Sequence, residues 1–279
     1  MAHLPEASPS VEEIISTPAS DLKVRIISAA VLAPIALTAV WYGGLPFILM
    51  MVLIITGMSY EWTSLTCGPF WPVDAIIIAG TAVAAMLAAG HAAFVVLGAS
   101  LVVGIVFTAG SGWFSGKQYF WRMIGIPYIA LGPASLVWLR GQEGIGFTLI
   151  LWLLLVVWAM DIGAYFTGRA IGGPKLAPLA SPNKTWSGLL GGMAGAGVTG
   201  AAIGAATGLA PVLPIAAVAM LLGAWSQVGD IVESMIKRRF GVKDMSRLIP
   251  GHGGILDRVD GLLFAAPAMA LIVLFMGSR

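Results

Sequence analysis

The sequence predicts an all-α, polytopic membrane protein of about nine transmembrane helices, with its N-terminus cytosolic and its C-terminus outside. Three observations predict it. Of the 279 residues, 58% are apolar and 10% are charged, and the mean hydropathy is +0.93. A soluble domain carries about 25% charged residues, so this chain lacks the charge to cover a water-exposed surface of its size. The apolar residues fall in runs long enough to cross a bilayer, and the basic residues fall almost entirely in alternate connections between those runs. This composition excludes secreted, fibrous, disordered and nucleic-acid-binding classes. The single cysteine, Cys67, excludes an internal disulfide and a cysteine-based metal cluster.

Residues 1–22 hold Pro5, Pro9 and Pro18 with the acids Glu6, Glu12, Glu13 and Asp21, and read as a mobile cytosolic tail. The apolar stretch after Lys23 and Arg25 is too long for a cleaved leader and is expected to stay as a helix. A crossing needs about 20 apolar residues. Spans are expected near 25–42, 45–66, 72–90, 92–110, 121–139, 146–168, 186–207, 210–229 and 258–276. Only Gly90 and His91 separate the third and fourth. With the N-terminus inside, 13 of the 15 basic residues are cytosolic, and only Arg140 and Arg279 fall outside. The chain divides into the tail 1–22, N-terminal transmembrane helices over 23–140, and a segment 141–279 of further helices and cytosolic loops that carries the site.

Two cytosolic loops hold most of the polarity: 169–185, RAIGGPKLAPLASPNKT, and 230–257, DIVESMIKRRFGVKDMSRLIPGHGGILD. Residues 230–240 extend the eighth span as a helix, Gly241 stops it, and Pro250–Gly254 is irregular. Span seven carries glycines at overlapping four-residue spacings, which bury it against another helix or another subunit.

An acid in or beside the apolar region is costly and marks a cavity or a partner. Glu61, Asp161, Asp230, Asp257 and Asp260 all fall at the cytosolic ends of their spans. For Glu61 and Asp161, helix capping or pairing with a basic residue weighs equally with a functional role. Asp74, at the start of span three, reads as a solvated helix-terminus acid. Asp257 and Asp260 are three apart and share a helix face. With Asp230 they offer hard oxygen ligands suited to Mg²⁺ shared with substrate phosphates. The plain alternative is that they cap span nine, where the helix dipole favours negative charge.

On the extension of span eight, Asp230, Glu233, Ser234 and Lys237 share a face that fits a metal-bound phosphate. The neighbouring Arg238 and Arg239 suit anionic lipid headgroups, and for Arg239 that reading prevails. His252, Gly253 and Gly254 offer backbone N–H groups that approach phosphate closely. Arg169, Lys175 and the turn Ser181-Pro182-Asn183-Lys184-Thr185 present hydroxyls, amides and cations at a helix start. There is no GxxxxGK[ST], HExxH or GxSxG motif.

The run Ser234-x-x-Lys237-Arg238-x4-Lys243-Asp244-x5-Pro250-x-His252-Gly253-Gly254-x-x-Asp257-Arg258-x-Asp260 resembles the signature of phosphatidate cytidylyltransferases, the CDP-diacylglycerol synthases. The stretch Asp161-x-x-Ala164-Tyr165-x-x-Gly168-Arg169, followed by Ser181-Pro182-x-Lys184-Thr185, is similar to the family's second block. Ser187 stands where the family usually has Glu or Gln, and Gly261 where Ser is common. The resemblance implies transfer of CMP from CTP to phosphatidate, giving CDP-diacylglycerol and pyrophosphate, with Mg²⁺ as cofactor. It implies a homodimer in the cell inner (plasma) membrane, among its lipid substrates and with no nucleic-acid partner, the active site facing the cytosol.

On this reading Asp230, Lys237, Asp257 and Asp260 are catalytic, with the three aspartates as metal ligands. Arg169, Lys175, Ser181, Pro182, Asn183, Lys184, Ser234, Arg238, Lys243, His252, Gly253, Gly254 and Arg258 bind substrate. A CDP-alcohol phosphatidyltransferase would show DG-x2-AR, but Asp260-Gly261 continues as Leu262-Leu263-Phe264-Ala265. A secondary transporter would show repeated halves and midplane charges, and neither is present.

Overall fold

In a bilayer every backbone polar group must be satisfied within the chain, so the apolar runs become helices. The computed structural model describes residues 18–67, 71–91, 94–110 and 119–277. Among these the chain forms α1 (Pro18–Tyr42), α2 (Gly44–Thr66), α3 (Trp71–Gly90), α4 (Phe94–Gly110), α5 (Tyr119–Arg140) and α6 (Gly146–Ile171). A hairpin of β1 (Lys175–Ala177) and β2 (Ser181–Thr185) follows, then α7 (Trp186–Thr207), α8 (Val212–Arg239) and α9 (Leu256–Gly277). Seven of these helices are long and apolar enough to cross a membrane, and the apolar parts of α1 and α4 are shorter. The protein is a multi-pass membrane protein. Helix α1 begins at Pro18, so residues 18–22 of the expected tail are helical; residues 1–17 lie outside the described residues.

The glycines of span seven pack within the chain. A Cβ built on Gly192 would stand 2.6 Å from the carbonyl oxygen of Met160, and one on Gly188 would stand 2.9 Å from that of Ala164. Helices α6 and α7 thus touch through their backbones, reciprocally at Gly163 against Gly191 and Gly192. The other face of α7 meets α8, where Gly200 abuts Ala219. Trp152 Nε1 on α6 donates to Gly200 O on α7 at 2.9 Å. This close three-helix contact leaves little freedom in how α6 and α8 present their polar ends to one another.

Asp74 departs from its expected solvated state. It is 2% exposed and pairs with Arg122 Nε on α5 at 2.9 Å, while Arg122 Nη2 donates to Cys67 O at 3.1 Å. A buried acid without a partner is costly, and the cation from a distant helix overrides its terminal position. Arg140, one of the two basic residues expected outside, donates to Val40 O at 2.7 Å and Trp41 O at 2.9 Å. It caps the C-terminus of α1, where the helix dipole favours a cation.

Among the described residues the hairpin is the one pair of strands added to the expected all-helical layout. It pairs Lys175 with Thr185 and Ala177 with Ser181, antiparallel. It starts after Gly172 and Gly173, whose φ values of 67° and 100° end α6 in a region that favours glycine. Thr185 then caps α7, its Oγ1 accepting from Gly188 N at 3.1 Å.

Candidate active site

The hairpin, the C-terminal part of α6 and the polar part of α8 enclose a cavity of about 690 Å³. Its wall holds Asp161 and Tyr165 from α6, Lys175 and Lys184 from the hairpin, and Gln227 and Asp230 from α8. Arg169, Asn183 and Thr185 complete the polar lining. On β2 Lys184 is half-buried and Asn183 exposed beside it, and both line the cavity. Lys184 Nζ donates to Gln227 Oε1 at 2.7 Å and forms an ion pair with Asp230. Gln227 Nε2 in turn donates to Asp161 Oδ1 at 2.8 Å. One ammonium and one amide therefore join three elements, and both sit on the cavity wall.

A second polar group fixes the connection between α8 and α9. Lys237 Nζ lies between Glu233 Oε2 at 2.9 Å and Asp257 Oδ1 at 2.7 Å. Asp257 Oδ2 accepts from Met245 N at 2.9 Å and from Gly254 N at 2.8 Å. Helices α8 and α9 cross at Gly229, where a built Cβ would come within 2.5 Å of Asp260 O. Gly261, where Ser was noted as common, faces Ser226 with 3.3 Å to a built Cβ, so a side chain here would press Ser226 by a few tenths of an ångström. Ser187, the other departure, donates to Gly172 O and joins Thr185 Oγ1 at 3.0 Å, holding the start of α7 to the end of α6.

The expected site residues thus separate by surroundings. Arg169, Lys175, Asn183, Lys184 and Asp230 meet at the cavity. Ser181 and Pro182 begin β2 beside it, and Ser234 Oγ approaches Asp230 Oδ1 at 3.4 Å. Lys237, Asp257 and Gly254 form the α8–α9 lock. Gly253, at φ 82°, bridges back to Ile249. His252 offers its carbonyl to Arg258 Nε at 2.8 Å. Arg238 is spent on its own helix end, donating to Val242 O at 3.1 Å, and Lys243 is exposed. Arg169 Nη1 donates to Tyr165 Oη at 2.8 Å, which orients the ring in the cavity wall.

The expected metal set of Asp230, Asp257 and Asp260 needs a correction. Among the described residues no three His, Cys, Asp or Glu side chains are placed to hold a metal by themselves. The reason is local: Asp257 is turned to Lys237 and two backbone amides, although it shares a helix face with Asp260. Asp230 and Asp260 fit better. Asp260 is within electrostatic reach of Asp230, Asp161 and Glu233. Glu233 Oε1 is buried on the side of Asp260. Carboxylate therefore exceeds cation here. A Mg²⁺ ion takes one or two protein carboxylates and completes its shell with water and substrate phosphate, which this pair of aspartates can supply.

Gln227 was not anticipated. Its signal was available: it lies one helical turn before Asp230, on the face that carries Ser234. Ser246 was also missed, and Glu61, weighed between capping and function, joins it in binding the loop before α9.

Comparison with known proteins agrees with this geometry. Residues 23–276 match the cytidylyltransferase family. A phosphatidate cytidylyltransferase of Brucella melitensis biotype 1 is 45% identical over 269 residues, covering 92% of this chain and 93% of that protein. One of Pseudomonas aeruginosa is 37% identical, with 90% and 97% covered, and one of Staphylococcus saprophyticus is 30% identical, with 91% and 99% covered. The match takes in α1 through α9 together with the cavity and the α8–α9 lock, and on that extent the chain belongs to the cytidylyltransferase family.

Proposed function

We propose that the chain is a phosphatidate cytidylyltransferase, transferring CMP from CTP to phosphatidate and releasing pyrophosphate. The observation that carries this reading is the cavity at one end of the bundle, where Lys175, Lys184 and Arg169 meet Asp161 and Asp230. Cations there neutralise a triphosphate, and the cavity's position at a helix-bundle end suits a nucleotide from water and a lipid from the bilayer. Phosphatidate is a phosphate monoester with a second pKa of about 6, so it is largely dianionic at neutral pH. It attacks the α-phosphorus without a strong general base, and the protein's work is positioning and charge stabilisation. Lys184, fixed by Gln227 and Asp230, holds its ammonium at the wall where phosphate oxygens arrive. The Gln227 bridge keeps Asp161 in register with it.

Asp230 and Asp260 are the residues that would hold Mg²⁺, with Asp257 shaping the loop beside them. The ion supplies charge neutralisation on the triphosphate when bound. The two polar loops hold no assembled nucleophile and base pair, which supports direct displacement.

The proposal extends to nine membrane crossings with the N-terminus in the cytosol and the C-terminus outside, in the inner membrane, with the site facing the cytosol. The 13-to-2 division of basic residues supports it. A homodimer is part of the same family-based reading. Purified protein in detergent should release pyrophosphate from CTP when phosphatidate is present and not when it is omitted. Release that ignores phosphatidate refutes the activity. An α-thio-substituted CTP of known configuration should react with inversion, and net retention would refute direct displacement.

A further inference from the structure

Glu61 is far from the signature residues in sequence and is completely buried at the end of α2. Its Oε1 accepts from Ser246 Oγ at 2.7 Å and from Ile255 N at 2.7 Å, and its Oε2 accepts from Leu256 N at 2.8 Å. Ile255 and Leu256 supply N–H groups that the start of α9 leaves without intrahelical partners. The contact is tight, since a Cβ on Gly254 would stand 2.6 Å from Glu61 Oε1. One turn earlier on α2, Gly57 opens a notch into which the Ile255 side chain inserts.

Asp257 bonds the same two stretches of chain, taking Met245 N at one end and Gly254 N at the other. Two carboxylates, one from α2 and one from α9, thus close the loop between residues 246 and 254 at its base. We propose that Glu61 is a positioning residue that latches this loop to α2 and so sets where His252–Gly254 and Asp260 stand relative to the bound nucleotide's phosphates. The inference rests on the cytidylyltransferase reading for its consequence, and on the hydrogen bonds alone for the latch itself. Nothing in the match of the signature to the family assigns it, because Glu61 lies in the half of the chain that the signature does not cover.

The test uses Glu61→Gln and Ser246→Ala in the full-length protein in detergent. A carboxylate accepts from all three donors, whereas an amide turns one N–H group toward a backbone N–H or the serine. Two readouts are taken at a temperature where each variant is folded. The first is tryptic cleavage after Arg247, which is exposed in the loop; it needs no activity. The second is KM for CTP at saturating phosphatidate. Glu61→Gln should raise the cleavage rate about tenfold and KM for CTP about tenfold, and Ser246→Ala should move both about threefold, the loss of one hydrogen bond. Parent-like cleavage and KM in Glu61→Gln overturn the proposal, as does a lowered melting point with parent KM, which marks a structural cap only. If Glu61→Gln does not fold, parent values in Ser246→Ala overturn it. A parent protein inactive with CTP and phosphatidate refutes the activity, while the cleavage arm still decides the latch.

Discussion

Replacing Lys237 with methionine tests the α8–α9 lock. The ammonium lies between Glu233, which is 0% exposed, and Asp257, which is 4% exposed. Methionine keeps much of the stem volume but removes the charge from between two buried acids. Removing one partner of a buried pair costs about 3–5 kcal/mol, because the remaining charge is left uncompensated. Asp257 keeps its two backbone donors, so the cost falls mainly on Glu233, and about 3 kcal/mol is expected. For a chain of this size each kcal/mol lowers the melting point by about 2–4 °C, so the midpoint should fall by about 6–12 °C. The assay is thermal unfolding in one detergent, followed by tryptophan fluorescence. Glu233→Gln added to Lys237→Met should recover part of the loss, since the neutral amide no longer needs the cation, and neighbouring sites couple by about 0.5–3 kcal/mol. A midpoint for Lys237→Met within about 2 °C of the parent would refute the reasoning.

Asp260→Asn should lose turnover about a hundredfold at an unchanged midpoint, because Asp260 stands among other carboxylates and outside the lock; activity and unfolding measured together decide it. Lys184→Ala should raise KM for CTP about tenfold, the loss of one charge-assisted contact of about 1.4 kcal/mol, whereas Arg239→Ala should stay within about twofold in the same assay. Gly192→Leu should prevent α6 and α7 from seating, since its Cβ already meets Met160 O at 2.6 Å, and the protein should elute aggregated from a sizing column or melt well below the parent.

Helix positions were legible because span length and charge asymmetry are local properties of the chain. The glycine stripe likewise announced a close helix contact, but whether it met α6 or another subunit depended on three-dimensional packing that spacing alone does not encode. Asp74 misled for a related reason: its position at a helix start is local, while Arg122 reaches it from α5. The shared face of Asp257 and Asp260 was legible, yet one of them turns to Lys237 and the loop amides. Helical spacing fixes the face on which a side chain starts, and the donors within reach fix where it ends. Glu61 shows the limit most clearly, since its partners lie 185 to 195 residues away.

How each acid obtains its donors also separates frame from site. Asp74 is satisfied by Arg122, Glu61 by a serine and two amides, and Asp257 by a lysine and two amides. These carboxylates complete their partners within the protein, and each ties together distant stretches of chain. Asp161 leans on Gln227, Asp230 shares Lys184 with that same glutamine, and Asp260 accepts from the Gly261 amide that follows it. This second set is short of positive charge in surroundings where a carboxylate is costly. Its members stand at the cavity or beside it, where the proposed Mg²⁺ would supply what the chain does not. Acceptor capacity left over after the frame is satisfied thus gathers at the cavity proposed for the substrate. The same logic predicts which substitutions break the fold and which break only turnover: Lys237 belongs to the first kind through its bonds across the lock, and Asp260 to the second, while Glu61 acts on turnover through the loop it holds.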